Sequence, residues 1–174
     1  MGDTWFTSDT HFGHANIIKY SNRPFTSVKE MDEAMIANWN ALVKPSDIVW
    51  HLGDFAFSKD LDQMVQLFGR LNGVKCLIRG NHDHSTTRRL GWYEINSLTT
   101  INLGTTPVVL CHYALRVWDR SHRGAIHLYG HTHGTLPGDN QSIDVGVDCW
   151  DYKPVNIEQI RARLITQLAR PKEF

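Results

Sequence analysis

The chain has 174 residues, 41% of them hydrophobic, and its 18 basic and 18 acidic side chains leave no formal net charge. That length suits one domain with a full core and is short for two, so a single domain over residues 1–174 is expected. Balanced charge excludes a global field that would gather nucleic acid or an anionic membrane, so an anionic ligand must be held by a local site.

Cys76, Cys111 and Cys149 are odd in number and widely spread, which argues against a disulfide framework and fits small buried side chains in a reducing cytosol. No apolar run approaches the roughly 18 residues of a membrane span. The N-terminus lacks the regions of a signal peptide, and Phe6 sits where a myristoylation signal wants Ser or Thr. A cytoplasmic protein without a membrane partner is expected.

In chain order, "TWFTSD" reads as a strand that runs into "SDTHFGH", with Asp9, His11 and His14. A short helix carrying Asn16, Lys19 and Arg23 should stop at "RPF". "SVKEMDEAMIANWNALV" then spaces Met31, Met35, Trp39 and Leu42 for one helix face, with Ser27 and Glu30 forming a capping box. "DIVWHLGD" is a strand ending at Asp54, with His51 in the core, and "KDLDQMVQLFGRL" is a second helix. "KCLIRG" leads to Asn81, His82 and an exposed His84, and "TTPVVLCHYA" leads to His112. The stretch "YALRVWDRSHRG" mixes Arg116, Arg120 and Arg123 with Trp118; it either stacks a base and pairs its phosphate or is a plain surface loop. "AIHLYGH", with His127 in the core, delivers His131 and His133, and "QSIDVGVD" and the helix "NIEQIRARLITQLA" complete the pattern. Strands alternating with helices indicate an α/β layered sheet with helices on both faces, partly antiparallel after Thr99.

Five strands therefore present metal-type side chains at their C-terminal ends, the edge where ligands bind in open α/β sheets. Asp9 and His11, and likewise His131 and His133, are two apart, which on extended backbone aims both side chains to one face. One such pair is weak evidence in a chain with ten histidines; five signals in series are strong.

The series "SDTH", "LGD", "GNHD", "CH" and "GHTH" resembles the motif set of the calcineurin-like metallophosphoesterase superfamily, and "IDVGVDCWDYKPVNIEQI" resembles a compact bacterial and phage branch of it. The resemblance implies an α/β four-layer sandwich of two mixed β-sheets flanked by helices, with a dinuclear metal centre at one end. It implies Asp9, His11, Asp54 and His133 on one ion and Asp54, Asn81, His112 and His131 on the other, with Asp54 bridging. His82 is then left unbound near the metals as the general acid. One departure is Phe57, where phosphoprotein phosphatases of the superfamily carry an aspartate that orients the catalytic histidine.

Imidazole, carboxylate and amide donors without thiolate suit Mn²⁺ first, and Fe, Zn²⁺ or Ni²⁺ as alternatives. Two ions roughly 3.5–4 Å apart would polarise one phosphate and a bridging hydroxide that attacks it in line. Their charge exceeds that of Asp9, Asp54 and the hydroxide by about +1, which favours an anionic substrate. The expected activity is hydrolysis of a phosphodiester or phosphomonoester of nucleotide size. His14, Asn81, Arg23 and Arg116 are candidate substrate contacts. A nuclease is the alternative, disfavoured because no basic stripe exists for an extended nucleic acid. A non-catalytic protein-binding scaffold is disfavoured by the complete donor set. The chain is short for a large cap, so an open crevice is expected.

Overall fold

The computed structural model describes residues 2–58 and 60–170. Lys59, which opens the second predicted helical pattern, and the ends of the predicted domain at Met1 and 171–174 lie outside them. The elements in chain order are β1 (Thr4–Thr7), α1 (Ala15–Tyr20), α2 (Val28–Leu42), β2 (Ile48–His51), α3 (Leu61–Gly69), β3 (Val74–Ile78), α4 (Ser85–Arg88), β4 (Ile95–Asn96), β5 (Leu98–Leu103), β6 (Thr106–Cys111), β7 (Ile126–Tyr129), β8 (Ser142–Asp144), β9 (Val155–Asn156) and α5 (Ile157–Leu164). Among the described residues no helix is long and apolar enough to cross a membrane.

The strands form two mixed sheets, in the orders β4-β3-β2-β1-β9 and β5-β6-β7-β8. In the first, β1, β2, β3 and β4 run parallel, with Thr4 opposite Ile48 and Ile48 opposite Val74, while β9 pairs antiparallel. In the second, β5 and β6 form an antiparallel hairpin and β6, β7 and β8 run parallel. Two mixed sheets flanked by helices are the sandwich that the motif resemblance implies, in place of the one layered sheet that strand alternation alone suggests.

Alternation along each strand divides the core. Trp5 and Val49 face a helical layer, where α2 buries Met31, Met35, Ile36 and Trp39 and α3 buries Met64, Leu67 and Phe68. Phe6 and Trp50, one residue on, face the second sheet and meet Val108, Leu110, Ile126, Leu128 and Ile143, with Ile160 and Leu164 of α5 closing the cluster. Each such side chain withdrawn from water contributes about 1.5–3 kcal/mol. The outer face of the second sheet carries segment 113–125, with one 3-10 turn at Ser121–Arg123.

The caps differ in completeness. Ser27 Oγ accepts from Glu30 N at 3.2 Å, but the Glu30 carboxylate takes Thr26 N at 2.8 Å and the Thr26 hydroxyl at 2.6 Å, so the predicted box at α2 closes on only one side. A full box, Asn156 with Gln159, starts α5. That helix ends at Leu164, short of the predicted pattern.

Candidate metal centre

β1, β2 and β3 are parallel and in register, so the chain leaves each at the same end of the sheet. Asp9 and His11 follow β1, Asp54 follows β2, and Asn81 and His82 follow β3. From the second sheet, His112 follows β6, and His131 and His133 follow β7. The loops from both sheets meet over one end of the sandwich, and the side chains form two groups. Donor atoms of Asp9, His11 and His133, and those of Asp54, His112 and His131, lie within 4.8 Å of one another in each.

Asp54 Oδ2 belongs to the second group but also faces the first, 3.7 Å from His11 Nε2 and 3.6 Å from His112 Nε2. Asp54 Oδ1 is turned away to accept the His82 amide at 2.8 Å. Asp9 Oδ1 is 3.9 Å from both His11 Nε2 and His133 Nε2, while its Oδ2 accepts the His131 amide at 2.8 Å. Asn81 Oδ1 is 3.1 Å from His112 Nε2. Gly80 and Gly130 make room for these carboxylates: a Cβ at Gly80 would collide with Asp54 Oδ1, and one at Gly130 with Asp9 Oδ2.

The expectation that extended backbone aims the paired residues is wrong. Asp9, His11, Asp54, His131 and His133 have φ of 57°, 50°, 57°, 67° and 48°. They are left-handed, a conformation that costs an L-residue about 1–2 kcal/mol. Loop-to-loop hydrogen bonds hold it in place: Asp9 N to Gly53 O at 2.9 Å, His11 N to Asp54 O at 3.0 Å and Phe12 N to Phe55 O at 2.9 Å. Asn22, Arg120, Asp151 and Tyr152 are left-handed too, but five of the nine such non-glycine residues among those described are converging donors, and strained backbone of this kind clusters at functional sites.

Supporting groups orient the imidazoles. His112 Nδ1 donates to Leu52 O at 2.7 Å, which leaves Nε2 as a lone-pair donor. His133 Nδ1 is 2.7 Å from Asp148 Oδ2, and Arg23 grips that carboxylate with Nε at 2.8 Å and Nη2 at 2.9 Å. Arg23 also donates to Thr10 O at 3.0 Å and Asp9 O at 2.7 Å, and its side chain is fully buried. Arg23 is therefore not a substrate contact, contrary to expectation; it is a clamp behind the candidate donors Asp9 and His133. Asp148 carried no signal in the sequence, since its partners lie far along the chain and meet it only in the fold.

The remaining candidates separate. His14 lines the crevice and stacks on Phe57 with ring centroids 4.2 Å apart. His82 lines it too, its ring centroid 5.7 Å from those of both His11 and Phe57. Asp83 does not stand in for the aspartate missing at Phe57. Its carboxylate accepts from the amides of Asp54 at 2.9 Å, Phe55 at 3.0 Å and Gly80 at 2.8 Å, so it braces the loop behind His82. Arg116 is exposed and does not line the crevice, so it too is corrected. Trp118 cannot stack a base: it is buried, bonds Ala125 O at 2.9 Å and lies under the Arg170 guanidinium at 3.8 Å. His51 and His127 are fully buried core residues, and burial pushes His51 down to about 3, leaving it neutral.

Several atoms fit a cation and little else. Asp9 Oδ1 and His11 Nε2 are buried without a hydrogen-bond partner, an arrangement that costs about 1–3 kcal/mol for each polar group and more for a charge. Burial pushes Asp9 up to about 7 and His11 down to about 2, so the protein alone disfavours the charged form of each. A divalent ion would compensate both atoms and hold Asp9 ionised.

Residues 4–145 match the calcineurin-like phosphoesterase superfamily domain. The chain belongs to that superfamily. It is 36% identical over 168 residues to the protein MJ1445 of Methanocaldococcus jannaschii, covering 92% of this chain and 90% of that one. It is 31% identical over 194 residues to the Gene 66 protein of Mycobacterium phage D29, covering 92% and 95%. The crystal structure of AQ665 from Aquifex aeolicus, a protein of unknown function, superposes with a TM-score of 0.75 at 24% identity, over 94% of this chain and all of that one, and shares the fold. Membership in the calcineurin-like superfamily supports phosphoester hydrolysis as the reaction class.

Proposed function

We propose that this chain is a metal-dependent hydrolase of a phosphodiester or phosphomonoester of nucleotide size, acting at two divalent ions. The observation that carries the reading is Asp54 Oδ2, poised between His11 and His112, with Asp9, His11 and His133 on one side and His112 and His131 on the other. Asp9, His11, Asp54 and His133 would hold one ion and Asp54, Asn81, His112 and His131 the other, with Mn²⁺ the best fit to this oxygen and nitrogen donor set. Such ions supply Lewis-acid polarisation of the phosphate and make water acidic enough to be the nucleophile near neutral pH.

The protein's own groups do the rest. His82, unattached to either donor group, gives a proton to the leaving oxygen as its bond to phosphorus breaks. Asp54 Oδ1 holds the His82 backbone in place. Among the described residues that line the crevice of about 790 Å³, none is Lys or Arg. That favours a compact ester and counts against a nuclease, which needs several cationic phosphate contacts. The reading takes the protein as cytoplasmic, with Cys76, Cys111 and Cys149 as free thiols. Turnover of bis-p-nitrophenyl phosphate and p-nitrophenyl phosphate with Mn²⁺ tests the proposal; no metal-dependent release from either rejects it.

A further inference from the structure

The crevice has one wall that metal binding leaves unused. Phe57 is 47% exposed and Tyr20 76% exposed, and both line the crevice. His14 lies between them in ring contact, stacked on Phe57 at 4.2 Å and 20° and edge-on to Tyr20 at 6.3 Å. The Phe57 backbone is anchored by its amide to Phe12 O at 2.9 Å, which fixes where its ring leaves the chain. It borders the ring of His82, the group that protonates the leaving oxygen. Among the described residues, the lining has no Lys or Arg that could grip a second phosphate. Phe57 and Tyr20 thus keep large rings in water beside the candidate metal donors.

The geometry points to an aromatic leaving group. The Phe57, His14 and Tyr20 ledge stacks the planar ring of a nucleoside whose phosphoester is cleaved at the metal centre. This rests on the phosphoesterase reading above. In the reaction the water oxygen bonds to phosphorus, the bond from phosphorus to the nucleoside oxygen breaks, and the proton from His82 goes to that oxygen. The ledge holds the base by its π-face, which tolerates different bases and needs no charge. Selectivity is therefore for a ring over no ring rather than for one base over another.

The test compares the methyl ester of adenosine 5′-phosphate with the methyl ester of 1-O-methyl-ribose 5-phosphate, in which a methoxy group replaces the base and keeps the ring closed. The Mn²⁺-loaded protein should favour the first about tenfold or more in kcat/KM. Phe57→Ala and Tyr20→Ala should each shrink that ratio, mainly through KM, and Phe57→Tyr should restore it. The ratio is read because Phe57 also packs against His82, so absolute rates can fall on both substrates. Calorimetry in the His82→Asn background gives a readout without turnover: adenosine 5′-phosphate should bind about tenfold tighter than 1-O-methyl-ribose 5-phosphate, and Phe57→Ala should erase the difference. Equal turnover of both esters, or a ratio unmoved by both alanine variants, overturns the ledge and leaves the phosphoesterase reading standing. No metal-dependent turnover of either ester overturns that reading, and the ledge with it.

Discussion

Asp9 and Asp47 are both buried aspartates beside the first sheet, at opposite ends of parallel strands, and their surroundings differ in one respect. Asp47 is saturated: Oδ1 accepts Asp3 N at 2.9 Å, and Oδ2 accepts Trp5 Nε1 at 3.1 Å and Lys44 N at 2.9 Å. Hydrogen bonds, first that from Lys44, hold its carboxyl below the usual range. Asp9 has the His131 amide on one oxygen and no partner for the other, and burial pushes it up. The same residue knots β1, β2 and the end of α2 together at one end and is left short of donors at the other. A fold that can saturate an aspartate and does not has reserved it for something else.

Substitutions at the two ends break the comparison in opposite ways. Asp54→Asn removes the shared carboxylate and several kcal/mol of charge stabilisation, so kcat/KM on bis-p-nitrophenyl phosphate should fall about 10³-fold or more. Its chemical denaturation without metal should be unchanged or improved, because a buried charge is gone.

Metal itself should act only on the donor-poor end. Mn²⁺ at one hundred times its Kd should stabilise the protein by about 2.7 kcal/mol, read as a rise in Tm over a sample with chelator. A Tm that ignores Mn²⁺ would contradict the cation reading of Asp9 Oδ1.

Asp148→Asn leaves every proposed ligand in place but weakens the partner of His133 Nδ1. Mn²⁺ affinity by calorimetry should drop about 10- to 100-fold, as for other supporting partners of metal-bound histidine. Unaltered affinity would make the Arg23 and Asp148 pair purely structural.

Asp47→Asn should show the smallest effect, confined to stability and its pH dependence. A depressed folded pKa adds stability that is present above the unfolded value of about 3.8 and is lost as pH falls through the folded one. The wild type should therefore lose more stability than the variant on acidification below about pH 4, while both hydrolyse alike at neutral pH.

Much of this was legible in the sequence because it is local. Met31, Met35 and Trp39 repeat at helical spacing, and β2, β3 and β7 are runs that stop at Asp54, Asn81 and His131. β5 escaped because it is an edge strand whose residues alternate between exposed and half-buried, so no apolar run marks it. β4 and β9 have two residues each, too few for any period. The converging donors were found for an incomplete reason: side-chain alternation was credited with an aim that left-handed backbone at Asp9, His11 and His133 produces. Arg23 looked like a free cation near the site, and only its contact with Asp148, a separation of 125 residues, shows it is already engaged.

That long-range clamp has a consequence for how the chain may be cut. The stretch 4–145 that matches the superfamily domain contains every proposed chelator yet stops short of Asp148. A polypeptide trimmed to it would keep all the donors but let the His133 imidazole rotate freely and leave the Arg23 guanidinium buried without its counter-ion. Chelation would suffer from a deletion that removes no chelator.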